Sequence, residues 1–165
     1  MRLNKKMNTL LRELGIDIDN ISPEYDYPIW QKFDQAGRPY WGVSHFWNID
    51  KRGVSGEQDL SQLDWDGNEM NLDAKSKAEI PKIFEKMIGI IKAWKEKLEN
   101  NYPNTQLYIF ASYDNGDELE DNEDFPDGWY SLTFRFYSPR GGNTVVNLES
   151  FDEWEQPALM AVCNK

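Results

Sequence analysis

Leu3, Met7, Leu10, Leu11 and Leu14 recur at helical spacing. Gly15 follows where a left-handed residue closes a helix, so the chain opens on an amphipathic helix that covers one side of a core. Residues 16 to 39 are turn-rich, with Pro23, Pro28, Gly37 and Pro39, and hold at most a short helical turn around Ile29 to Phe33. The aromatic and β-branched run YWGVSHFWNI at 40–49 reads as a strand with Trp41, Val43, His45 and Trp47 on one face. Polar residues follow as far as Met70. From 79 to 99, Ile80, Ile83 or Phe84, Met87, Ile88, Ile91, Trp94 and Leu98 form a stripe of period near 3.6, which predicts the longest helix. Its start carries two competing signals: Ser76 and Glu79 have capping-box spacing, whereas Pro81 suits the first helical position and sets the boundary. TQLYIFASY at 105–113, WYSLTFRFY at 129–137 and TVVNL at 144–148 predict an antiparallel meander. In the second of them Tyr130, Leu132, Phe134 and Phe136 alternate with Trp129, Ser131, Thr133 and Arg135, the mark of one buried and one wet face. Residues beyond 148 read as a tail. The expected fold is α+β, an antiparallel meander sheet with helices packed on one face, in a single domain spanning 1–165.

Composition narrows what such a domain does. The 165 residues, 39% hydrophobic and 14% aromatic, are enough for one core. With 29 acids against 18 bases the net charge is −11, which opposes binding to nucleic acid or an anionic membrane and favours a cationic partner. The lone Cys163 excludes an internal disulfide and fits a reducing, cytoplasmic address. Arg12 interrupts the apolar run Met7 to Leu11 before it could serve as a secretion signal, and no stretch is long enough to span a bilayer. His45 is the one histidine, set among aromatic neighbours where a packed role is expected. No serine or cysteine stands in a nucleophile context, and no glycine-rich phosphate loop is visible. The chain therefore reads as a protein that is not an enzyme and needs no cofactor.

The informative segment is DNGDELEDNEDFPDG at 114–128, which holds eight acids and no base. Its spacing departs from a calcium-binding loop, so no metal site is assigned to it. From residue 100 onward there are twelve acids and three bases. Tyr113, Phe125, Trp129 and Tyr130 flank the loop, and Phe151 and Trp154 follow in the tail. Carboxylates beside aromatic rings suit a surface that meets Lys and Arg, because rings supply contact area while the field steers encounter. The candidate interface is Asp117, Glu118, Glu120, Asp121, Glu123, Asp124, Asp127, Trp129, Glu153 and Trp154. The plain alternatives are a solvated hairpin loop and ordinary packing of Phe151 and Trp154 onto the sheet.

These features point to a binding protein that covers a basic toxin domain, most simply a nuclease whose cleft holds phosphates with Lys and Arg. The chain resembles the immunity proteins of bacterial polymorphic-toxin systems, including contact-dependent growth inhibition. The run from IPKIFEKMIGIIKAWKEKL through LYIFASY and the acidic loop to DGWYSLTFRFYS is similar in layout to the YezG-type immunity family over residues 40 to 138. The resemblance implies neutralisation of a cognate toxin encoded alongside, and it carries over no site residue. Two other classes stay open. A nucleic-acid mimic that inhibits a DNA-binding enzyme would spread its acids along an extended face, and a small-ligand domain would use the aromatic strand 40–47 as a pocket wall.

Overall fold

Asn4 starts the first helix by accepting the Met7 N–H on Oδ1 at 2.8 Å, which satisfies one of the orphan donors of the first turn. In the computed structural model, which describes residues 1–25, 27–43, 56–116, 129–141 and 145–164, this helix, α1, spans Lys5–Glu13. Gly15 lies just beyond it at φ +69°, as its position in the sequence predicts. Met7 and Leu11 are buried and dock α1 on the core. It follows β1, a two-residue strand at Arg2–Leu3.

The long helix α3 spans Ile80–Asn101 with Pro81 in its first turn, so the proline marks the boundary. Ser76 makes no capping bond; the Glu79 carboxylate instead accepts the Lys75 N–H at 2.9 Å. Ile83, Phe84, Met87, Ile88, Ile91, Trp94 and Leu98 are all buried, and so are Gly89 and Ile90 on the other side of the helix. Residues 18–25 account for that second burial by crossing α3. The Glu24 N–H donates to the Gly89 carbonyl at 2.9 Å, and the Lys92 ammonium donates to the carbonyls of Ile18 and Ile21, each at 2.6 Å.

The main sheet is antiparallel throughout, in the order β1-β7-β5-β6-β4, with β4 at Met70–Ala74, β5 at Leu107–Asp114, β6 at Tyr130–Tyr137 and β7 at Ala158–Cys163. The fold is thus α+β. Leu107, Ile109, Ala111 and Tyr113 of β5, with Tyr130, Leu132, Phe134 and Phe136 of β6, face α3 and α1 in the principal core. The alternation along β6 is as the sequence predicts. Trp94 meets Phe134 and Phe136 with ring centroids 5.3 and 5.1 Å away.

Four expectations need correction. TVVNL is no third strand: residues 145–150 form bends, and Val146 is buried against Phe110 and Met160 on the far face of the sheet. In a meander the segment would lie beside β6, where β4 pairs instead; on the other side of β5 stands β7, with Phe110 opposite Met160, so the expected tail is an interior strand. The reason is hydrophobic: ALMAVC buries both faces, which the short TVVNL cannot. Residues 30–33, expected as a helical turn, are strand β2 (Trp30–Phe33), paired with β3 (Pro39–Gly42) in a separate hairpin. The polar stretch before Met70 contains helix α2 at Glu57–Gly67. Trp65 of α2 lies against Phe110 and Tyr137, so one helix packs opposite the face that α1 and α3 cover. Of the expected strand at 40–49, residues 44–49, with His45 and Trp47, lie outside the described residues.

Candidate functional site

The acidic loop is rooted where β5 ends and β6 begins. The Asp114 carboxylate accepts the Gly116 N–H at 2.9 Å, and Gly116 itself sits at φ +67°. A Cβ on Gly116 would stand 2.0 Å from the Trp129 carbonyl oxygen, so the two roots of the loop meet backbone to backbone. Only glycine tolerates both the conformation and the approach. Gly116→Ala is expected to destabilise the fold by about 2 kcal/mol, read as a lower urea midpoint at constant slope. Gly15→Ala, also at positive φ but with nothing within 4 Å of its added methyl, should lose only about 1 kcal/mol. Equal losses would show that the close approach is unimportant.

Asp117, Glu118, Glu120, Asp121, Glu123, Asp124 and Asp127 lie outside the described residues, as does Phe125. Trp129 is half-buried at the root, whereas Tyr113 and Tyr130, near the adjoining ends of β5 and β6, are buried in the core. The end of the chain reaches the same place: the Tyr113 N–H donates to the Pro157 carbonyl at 2.9 Å. The structure therefore sets the turn 150–157, with Glu153 and Trp154, beside the loop's roots. Glu153 is exposed, Phe151 is fully buried, and Trp154 is half-buried with its ring 5.2 Å from Phe110. Phe151 is thus a packing residue, while Trp154 packs on one side and meets solvent on the other. Asn4 pins the turn. Its Nδ2 donates to the Gln156 carbonyl at 2.7 Å and its Oδ1 accepts the Ala158 N–H at 3.0 Å.

Between this end of the sheet and α1 runs a cleft of about 900 Å³ whose lining includes Lys5, Lys6, Lys77, Leu10, Tyr113 and Asp114. The lining of this cleft is thus of mixed charge. Among the described residues no group of three or more His, Cys, Asp or Glu side chains could hold a metal ion. No helix among them is long and apolar enough to cross a membrane.

Sequence reasoning missed a buried polar centre elsewhere. Asp64, on the inner side of α2, accepts the Trp41 N–H at 3.1 Å on Oδ1, and on Oδ2 the Ser138 N–H at 3.2 Å and the Arg140 guanidinium at 2.7 Å. The side chains of Arg140 and Asp64 are 10% and 0% exposed. These bonds tie α2, β3 and the end of β6 together. Burial raises the Asp64 pKa from 3.8 to about 7, against the opposing pull of Arg140 and the two backbone N–H groups. The folded chain therefore holds this proton more tightly than the unfolded one. The resulting stabilisation is fully present below the unfolded value of 3.8 and is lost as the pH rises through about 7. Melts of the wild type and Asp64→Asn across that range should show the difference between them shifting in favour of the asparagine variant as the pH rises; a constant difference would contradict this assignment.

Arginine, aromatic ring and carboxylate meet in two further places. Arg135 lies 4.5 Å above the Trp65 ring and 2.7 Å from Glu69, and Arg2 lies 5.4 Å from the Phe151 ring and 3.1 Å from Asp152. At the first centre, too, Arg140 lies 5.2 Å from the Trp41 ring. Cys163, expected as a free thiol in a tail, is buried in β7, and burial pushes its thiol up to about 12. No family model, no curated protein and no solved structure matches the chain.

Proposed function

We propose that the chain is an immunity protein that binds and neutralises a cognate basic toxin domain, most simply a nuclease, through its acidic loop and the aromatic-flanked end of the sheet. The observation that carries the reading is the closed neck at Gly116 and Trp129 from which the acidic segment departs. Seven acids between Gly116 and Trp129 are presented from a neck closed backbone to backbone, next to a pinned turn that adds Glu153 and Trp154. Concentrated negative charge on a braced support accelerates capture of a cationic protein without requiring chemistry from the binder. The concentration of acids in one loop favours this over a nucleic-acid mimic, whose charge would follow a duplex. A cytoplasmic address, where an incoming toxin would be met, belongs to the same reading.

Two steps test it. A pull-down from the native host should return one small basic protein, and co-expression of the chain should restore growth to cells making that protein. Recovery of a large DNA-binding enzyme instead would transfer support to the mimic, and turnover of a substrate by the purified chain would end the proposal.

A further inference from the structure

Three arginines of this chain are each held by a ring and a carboxylate: Arg140 by Trp41 and Asp64, Arg135 by Trp65 and Glu69, Arg2 by Phe151 and Asp152. The physical reason is general. A guanidinium is planar and weakly hydrated, so it stacks on an aromatic face while its edge donates to a carboxylate. The turn 150–156 contains the same two components. Ser150, Glu153, Trp154, Glu155 and Gln156 line a surface cavity of about 510 Å³, with Glu153 and Glu155 exposed on either side of Trp154 in the sequence. Neither carboxylate takes part in an ion pair among the described residues. Of the nearby cations, Lys6 donates its ammonium to the Glu155 main-chain carbonyl and Arg2 pairs with Asp152, so neither takes the side chains of Glu153 and Glu155.

We propose that this cavity is a receptor for one arginine side chain presented by a partner protein, stacked on Trp154 and paired with Glu153 or Glu155. The proposal deepens the immunity reading and rests on it for the partner being a basic protein. It also divides the labour at the interface. The loop supplies long-range attraction, and the cavity supplies a short-range anchor that slows dissociation. Its ring and backbone are held before binding, since Trp154 rests on Phe110 and the backbone of the turn is bonded to Asn4, which lowers the ordering cost of capture.

The test needs no toxin. N-acetyl-arginine methylamide is titrated into the full chain while the indole N–H resonance of Trp154, assigned by its loss in Trp154→Phe, is followed by NMR. The neutral isostere N-acetyl-citrulline methylamide is titrated in parallel. Arginine should move the resonance saturably and citrulline by at most about a tenth as much. The double variant Glu153→Gln, Glu155→Gln should keep the native spectrum, because both side chains are exposed, and bind arginine at least about fivefold more weakly. An equal response to citrulline, no response to arginine, or an unweakened double variant overturns the proposal. Because the probe is a single amino acid, failure here leaves toxin neutralisation standing, and failure to find a toxin leaves an arginine response standing.

Discussion

Reversing Glu120, Asp121, Glu123 and Asp124 to lysine should slow association with the cognate toxin by on the order of 10²-fold at low salt. Each reversal replaces an attraction with a repulsion during diffusional encounter, so the effect falls on the rate of approach more than on dissociation. The attraction in the wild type is screened over about 10 Å at 0.1 M salt, and its rate should drop steeply as salt is added. The variant's rate should depend little on salt. Its melting temperature should stay close to that of the wild type, because like charges crowded in one loop contribute no mutual attraction to lose. Stopped-flow mixing at several ionic strengths measures both quantities. An unchanged rate would place the interface elsewhere on the molecule.

The second large effect concerns stability. Arg140→Ala should destabilise the fold by about 3–5 kcal/mol at alkaline pH, where Asp64 is ionised, because it leaves a buried carboxylate without its counter-ion, and by less at acid pH, where the carboxyl is neutral. Asp64 would retain only the backbone N–H groups of Trp41 and Ser138. The Arg140 guanidinium also donates to the Pro39 carbonyl at 3.0 Å, so its loss loosens the β2–β3 hairpin as well as α2. Replacing both members with apolar residues of similar volume should recover much of the loss, since the desolvation of the pair is then avoided. Urea unfolding of the single and double variants decides the point. A single variant as stable as the wild type would show that the pair is incidental.

Elements with strong local signals were legible from the chain alone. α1 and α3 carry long apolar stripes with end signals at Gly15 and Pro81, and β5 and β6 carry unbroken aromatic or alternating runs. The α+β plan follows from them. α2 was hidden because its inner face mixes Leu60 with Asp64 and Trp65, a pattern that becomes sensible only once Arg140 arrives from 76 residues further along the chain. β2 was hidden because Trp30 and Phe33 are exposed, so no buried face marks the strand. β7 could have been found: ALMAVC is a short continuous apolar run, which reads as a doubly covered strand, and only its closeness to the end of the chain argued for a tail. At the candidate site, the acids and rings are visible as composition. That the loop's roots touch at Gly116, and that Asn4 brings the turn 150–157 beside them, is tertiary information with no local signature.

The central claim is that an acidic loop and its adjoining turn form the contact surface for a cationic protein. Hydrogen–deuterium exchange of the chain alone and with its captured partner tests this most directly. Exchange slowed across residues 114–130 and 150–157 is the expected result. Protection confined to the β2–β3 hairpin or to α3 and the segment crossing it, with the loop exchanging as in the free chain, would contradict it.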